Sequence, residues 1–328
     1  MTQSLEIAKP HKRGKFAKIK NTQISEKFKF IYEQALEQYA GDLEQKRKRL
    51  IKSIIICLIL FAIAIAILFY LKFIIGMKFG RRDLKFILIF LIPALYFVYK
   101  YRVYNKIYVE SFKNKIIKNF VKYIDHNLNY NQYGGEELLN SYLDAEFEEK
   151  KFNNFAADDY IEGYNKDDIY IEMCNFSLEN VNNNNEFLNL IDEGIFSNTK
   201  LNKYLPYEIR IKNNELIVES KNNKVQMDNK EFEKYYSVYC NSNILAMEIL
   251  THDVMEEIIN FYEKYNIKFE IVIKNNNIYV KFNTGVMFEP NILKKSNDIN
   301  TLWIYYNVLL FVTGITTMIN KILADLEI

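Results

Sequence analysis

Along the first third of the chain the spacing of apolar positions changes character. Between Ile24 and Leu50, residues Ile24, Phe28, Ile31, Leu36, Tyr39 and Leu43 recur at helical spacing among charged neighbours, with Ser25 placed as an N-cap. From Ser53 to Leu71 the polar positions vanish, and the nineteen residues SIIICLILFAIAIAILFYL carry no charge. At 1.5 Å per residue such a run crosses ~30 Å of hydrocarbon, so it predicts a transmembrane helix continuous with the amphipathic one.

A second apolar run, Phe86 to Tyr99, contains Pro93. By length alone it fits a re-entrant segment or a buried core helix. It follows the first run after the short connection GMKFGRRDLK, and Leu84, Lys85 and the aromatic end Tyr96, Phe97, Tyr99 and Tyr101 can extend it to membrane width. The expectation is therefore a two-helix hairpin. A helix continues from Tyr101 to about Asp125 with a stripe of Ile107, Phe112, Ile116, Phe120 and Ile124.

Gly134 and Gly135 end this helical region, and Glu136 to Phe147 reads as a short new helix. Strands are expected at Ile169 to Phe176, Tyr207 to Lys212, Leu216 to Ser220, Val225 to Asp228 and Tyr236 to Cys240. KFEIVIK and IYVKF flank Asn275, Asn276 and Asn277, which reads as a hairpin turn. Ile244 to Tyr265 reads as a helix, and a long one closes the chain from about Asp298 to Leu323. Thr301 to Asn320 is uncharged and long enough to span, yet Asn307, Thr313, Gly314, Thr316, Thr317 and Asn320 favour a helix that covers the sheet.

Charge divides the chain. Residues 1–132 hold 25 basic and 9 acidic side chains, a net of +16; residues 133–328 hold 18 and 32, a net of −14. Lys46, Arg47, Lys48, Arg49 and Lys52 precede the first run and Lys100, Arg102, Lys106, Lys113 and Lys115 follow the second, against Lys72, Lys78, Arg81, Arg82 and Lys85 between them. That excess places both termini in the cytoplasm, and the exposed clusters Lys46, Arg47, Lys48, Arg49, Arg81 and Arg82 are the candidates for contact with lipid headgroups. The tail KPHKRGKFAKIK, strongly basic and without an acid, is either disordered or drawn to anionic lipid. Three scattered cysteines, Cys57, Cys174 and Cys240, suggest neither a disulfide framework nor a zinc site.

The segment DDYIEGYNKDDIYIE, Asp158 to Glu172, gathers six carboxylates. A calcium loop beginning at Asp158 would need a ligand at its third position and Glu at its twelfth, where Tyr160 and Ile169 stand. As a strand DDIYIEM alternates, with Asp168, Tyr170 and Glu172 on one face and Ile169, Ile171 and Met173 on the other. A hairpin with its carboxylates mostly on the wet side is the expectation. His11, His126 and His252 share no ligand spacing; no phosphate loop, nucleophile elbow or zinc-protease motif occurs. His252 reads as a helix cap, and basic-aromatic KYRVYNKIY as an interfacial belt, not a nucleic-acid surface.

DDYIEG, DIYIEMCNFS, GIFS, MDNKEFEKYYSVYCNSNILAMEILTHDVMEEI, VKF and MFEP occur in this order. In that order they resemble a family of bacterial two-pass membrane proteins that share a C-terminal domain of unknown function, number 3137. Tyr236, Cys240 and His252 depart from that family's phenylalanine, serine and proline. The resemblance implies no enzymatic activity, and it implies as a partner a LemA-type helical membrane protein, whose genes often lie nearby.

The whole reading is α+β. It comprises a basic tail (1–23), an amphipathic helix (24–52), membrane helices at 53–72 and 84–100 joined by a loop (73–83), a helix returning to the cytoplasm (101–132) and a mixed or antiparallel sheet domain covered by helices (133–328). Function is expected to be non-enzymatic assembly at the bacterial inner membrane, without cofactor, metal or nucleic acid. Homo-oligomerisation or a helical partner would use the stripes of Phe28, Ile31, Leu36, Ile116 and Phe120. A membrane-tethered sensor of a small ligand or cation is the alternative, and a membrane-surface enzyme a third.

Overall fold

The computed structural model describes residues 25–35, 37–73, 84–147, 151–183, 186–216, 222–285, 287–295 and 298–326, and in its third helix the side chains from Leu95 onward. The expectations for the tail, Leu36, Arg81, Arg82, the connection between the apolar runs and most of the strand at Leu216 to Ser220 lie outside the described residues. The chain divides into a helical unit, residues 29–120 with 289–302, and an α+β unit, residues 121–288 with 303–328 and the first turn of helix before Lys29.

In the helical unit, α1 (Glu26–Ala35) starts from Ser25, whose Oγ accepts the amide of Phe28 at 3.2 Å. Helix α2 (Glu37–Phe73) runs unbroken from the charged segment through the whole apolar run. Helix α3 (Leu84–Phe112) passes through a π-turn at Lys113–Ile117 into α4 (Lys118–Ile124). Lys46 donates to Ser111 Oγ at 2.8 Å, and Lys115 to Asp42 at 2.7 Å. Four residues back along α2 thus match four forward along α3, so the helices are antiparallel. The same step sets Ser53 about level with Tyr104 and Phe61 with Tyr96. Lys100 sits between the Tyr96 and Tyr104 rings, 5.6 and 5.8 Å from their centroids.

The π-turn has a physical partner. It carries Lys113, 2% exposed, whose Nζ lies 2.5 Å from Glu289 Oε1. Arg47 donates from Nη1 to the carbonyl of Ile292 at 2.8 Å and from Nε and Nη2 to the two carboxylate oxygens of Glu44. Together these tie the loop after Phe288 to the helices.

The α+β unit is built on one antiparallel sheet ordered β1 (Leu128–Asn131), β2 (Asn154–Tyr164), β3 (Tyr170–Val181), β4 (Phe187–Asn213), β6 (Tyr236–Cys240), β5 (Lys224–Val225), with β7 (Phe269–Phe282) along β4. A 3₁₀ turn at Glu136–Leu138 leads into α5 (Leu139–Ala145). Tyr142 of α5 lies 5.1 Å from Phe176 and 5.2 Å from Phe196, at the centre of an aromatic cluster on one sheet face. Helices α6 (Lys230–Tyr235), α7 (Asn243–Ile249), α8 (His252–Tyr265) and α9 (Ile299–Asp325) complete the unit. On the face opposite Tyr142, Phe311 of α9 meets Phe261, Phe269 and Phe282 at 4.3, 4.9 and 6.0 Å.

Three expectations are corrected. Asn275 to Asn277 do not interrupt the strand. They sit inside β7, where Asn275 at φ 57° lies opposite the stretch of β4 between Lys200 and Ile209, which carries the extra residues of the irregular pairing. That shift puts Phe269, Ile271 and Ile273 on the same buried face as Ile278, Val280 and Phe282. The helix read from Ile244 to Tyr265 is two helices broken at Leu250 and Thr251, so Thr251 is the N-cap and His252 lies in the first turn, 3.2 Å from Glu256. The third concerns the carboxylates of the β2–β3 hairpin and is taken up with the site.

Among the described residues two helices are long and apolar enough to cross a membrane: α2, whose apolar window is 11% buried, and α9, whose window is 67% buried. The first leaves its apolar face uncovered, whereas α9 spends most of its own on the sheet.

Candidate functional site

The β2–β3 hairpin turns at Asn165, whose Oδ1 accepts the amides of Asp167 and Ile169, both at 3.0 Å. Ile169, Ile171 and Met173 are buried as the alternation requires. Asp159 is fully buried instead of wet. It adopts φ 54° where the β2–β3 register shifts between Asp158 and Ile161. Its carboxylate accepts hydrogen bonds from the Tyr130 hydroxyl and from Asn175 Nδ2, the latter at 2.9 Å. Asn175 also donates to Met287 O at 2.7 Å, so a buried side chain of Asp159 helps stitch β1, β2 and β3 to the segment after β7.

The outer carboxylates are engaged as well. Tyr160 donates towards Glu172 at 2.8 Å and Glu162 at 3.1 Å, and Tyr170 donates to Glu162 at 3.0 Å. Burial, then the Glu162 hydrogen bond, pushes the Tyr170 phenol up to about 12; burial and Glu172 push Tyr160 higher still. These carboxylates act as acceptors for fixed phenols, a structural use.

On the sheet face that carries Tyr142, four charged side chains are almost wholly buried: Arg210 and Lys212 on β4, Glu270 and Lys281 on β7. Arg210 donates to the carbonyls of Ala145 and Glu146 at 2.9 and 3.1 Å, and Lys281 lies 3.0 Å from Asp192. Glu270 stands opposite Lys212, with Oε2 lacking a hydrogen-bond partner. Burial raises its carboxyl pKa above the usual range, against the pull of Lys281, Lys212 and Arg210. No sequence rule foresees this row, because a strand with Arg and Lys at every second position reads as half solvated.

Among the described residues of the α+β unit an open concavity lies between the start of α6 and the outer face of α8. Its volume is 490 Å³, and Asp228, Glu231, His252, Glu256 and Glu263 line it, with Lys230 at its edge. The α8 residues fall at helical spacing on the face opposite buried Ile258, Phe261 and Tyr262. Asn229 caps α6 by accepting the amides of Glu231 and Phe232, which turns Asp228 and Glu231 towards the groove. Among the described residues Asp228, Glu231 and Glu263 have no cation within ion-pair distance, and Glu256 has only His252. The groove is polar and predominantly anionic.

The family model described as protein of unknown function (DUF3137) matches residues 192–321. The DUF3137 match contains the groove, the charged row, β7, α9 as far as Lys321 and the MFEP segment whose Glu289 meets Lys113. The hairpin Asp158 to Glu172 and helices α2 and α3 precede it. Comparison with curated proteins gives no match. A solved structure, the mycobacterial trehalose monomycolate transport factor A (TtfA), is similar at 11% identity over 57% of this chain and 89% of its own, with a TM-score of 0.31, a likeness too slight to bear on fold or function.

The residues expected to mediate assembly are distributed differently. Phe28, Ile31, Ile116 and Phe120 are buried within the single chain, at 0, 4, 0 and 0% exposure, and Phe28 lies 5.0 Å from Trp303. These four are thus covered without a second copy, whereas Ile107 of the second stripe is 43% exposed. Of the basic lipid candidates, Lys46 and Arg47 are half-buried in the ion pairs of the helical unit, whereas Lys48 and Arg49 are exposed.

Proposed function

We propose that the chain is a non-enzymatic assembly protein anchored in the inner membrane of a bacterium by the α2–α3 hairpin, with both termini cytoplasmic. One observation carries the reading. The apolar window of α2 is 11% buried, with Leu58, Phe61 and Phe69 about 60% exposed, while Phe28, Ile31, Ile116 and Phe120 of the flanking stripes are already covered. The surface left to take a partner therefore lies along the span. Ala62, Ala64 and Ala66 allow another helix to approach closely there, which replaces hydrophobic drive inside lipid. The partner is a second copy or a LemA-type helical membrane protein, as the sequence resemblance implies. Both termini face the cytoplasm because ten Lys and Arg flank the outer ends of the hairpin against five within it.

Mass photometry of the full chain in nanodiscs tests assembly. The expected result is a complex that Ala62→Leu together with Ala66→Leu reduces to the single-chain mass. A wild type that is strictly monomeric and carries no co-purified protein would overturn the reading. Cysteine labelling in a background free of Cys57, Cys174 and Cys240 tests orientation: Ser4→Cys is protected from an impermeant reagent in intact cells and Gly80→Cys reacts.

A further inference from the structure

We infer that one flank of the α2–α3 pair, carrying Arg49, Lys52, Ser53, Lys100 and Tyr104, is a binding site for the phosphate of an acidic phospholipid. The inference rests on the reading of these helices as a membrane anchor and gives that anchor a ligand.

Contacts on the opposite side fix which residues share the flank. Lys113 of the π-turn pairs with Glu289, and Arg47 of α2 donates to the carbonyl of Ile292, so the loop 289–292 lies against both helices on one side. At ~100° per residue, Arg49 and Lys52 stand ~200° and ~140° round α2 from Arg47. Tyr104 and Lys100 stand ~180° and ~140° round α3 from Lys113. These four therefore share the other side, and Ser53, 5% exposed, lies on the seam between the helices.

Nothing acidic neutralises this flank. Helix α2 has no acid after Glu44, and α3 has none before Glu110. Among the described residues Arg49, Lys52 and Lys100 have no ion-pair partner. Lys100 is also held at depth. The contacts of Lys46 with Ser111 and of Lys115 with Asp42 set it level with Cys57, ~6 Å inside the uncharged run of α2, where its ammonium lies between the Tyr96 and Tyr104 rings. A cation at the edge of the hydrocarbon is costly unless an anion stands beside it. Ser53, one turn nearer the charged segment, has an Oγ with no hydrogen-bond partner although it is buried.

Lys52 and Lys100 are ~7–8 Å apart along the axis, a separation that two lysine side chains close on a group the size of a phosphate. Arg49 and the hydroxyls of Ser53 and Tyr104 supply further donors. The same flank of α2 continues deeper as Ile59 and Ile63, 53% and 47% exposed, a bed for acyl chains. That continuation selects a phospholipid over a soluble phosphate, which would have to shed its water to reach Lys100.

The test takes the full chain in nanodiscs of phosphatidylcholine with and without phosphatidylglycerol, releases it into mild detergent and counts retained lipid by native mass spectrometry. Wild type is expected to keep one phosphatidylglycerol in preference to phosphatidylcholine. Lys52→Gln/Lys100→Gln is expected to hold it roughly thirtyfold more weakly. Arg102→Gln/Lys106→Gln removes two charges at the same depth but within ~20° of Lys113, on the loop side, and should leave retention nearly unchanged. Lys52→Arg/Lys100→Arg should keep the lipid, which excludes misfolding as the cause of the loss. Equal loss in the two Gln pairs would reduce the site to general surface charge and overturn the inference. Displacement of the lipid by millimolar inorganic phosphate would do the same, by making the ligand a soluble anion. A chain that does not enter nanodiscs overturns the anchor itself, whereas one that enters and keeps no phosphatidylglycerol overturns this site alone.

Discussion

Replacing Phe311 by Ala asks whether α9 belongs to the sheet or to lipid. Phe311 is 2% exposed and meets three rings, Phe261, Phe269 and Phe282, that are themselves buried. Removing a buried Phe costs ~3–5 kcal/mol when the site cannot collapse, and a seat between helix and sheet aromatics has little room to do so. With a urea dependence of ~2 kcal/mol per molar, the unfolding midpoint falls by ~2 M. The reporter is built in: Trp303 is the chain's single tryptophan and lies on the same helix, 5% exposed, stacked on Tyr306 at 5.6 Å. Leu310→Ala is the control, because Leu310 is 38% exposed and its loss costs under ~1 kcal/mol. Equal, small shifts for both variants would refute docking, since a helix dissolved in lipid would not distinguish the two faces.

Two further outcomes follow from buried charges. Because Glu270 binds its proton more tightly folded than unfolded, its contribution to stability is full below the ordinary Glu pKa, ~4.3, and is lost as pH rises through the raised value. Glu270→Gln should therefore gain on wild type as pH rises from 5 to 8 in urea unfolding, and a difference that stays constant with pH would show that the carboxyl is not raised. Asp159→Asn keeps a residue tolerant of the left-handed conformation but offers one acceptor oxygen to two donors, Tyr130 and Asn175. It should cost ~1–3 kcal/mol, read as a lower unfolding midpoint, and no loss would mean that the carboxylate is not needed there.

What could be read from the sequence follows from how locally each feature is determined. The nineteen uncharged residues of α2 dictate an apolar helix by themselves, and Tyr236 to Cys240 alternates cleanly into β6. The first half of β4 was hidden because Gly194, Asn198 and acids interrupt its pattern, and their burial depends on β3 and β7 alongside. Asn275 to Asn277 carry turn chemistry, but whether three asparagines reverse a chain or bulge within it is decided by the strand opposite. Asp159 and Lys113 were invisible for the same reason. A charged residue is buried only when a distant partner, Asn175 or Glu289, is brought to it. The groove needs α8, which sequence spacing alone joins to α7, and α6, a six-residue helix that spacing does not mark.

The unbroken course of α2 also makes it a lever. No proline or π-turn interrupts the helix from Glu37 to Phe73. If bilayer thinning tilts the span by ~10°, its extension of ~24 Å beyond Ser53 swings by ~4 Å at Glu37. Lys46 and Arg47 hold α3 and the Ile292 loop along that same extension, so they would be carried with it. In a chain anchored through α2, membrane thickness would thereby be converted into a lateral displacement on the watery side.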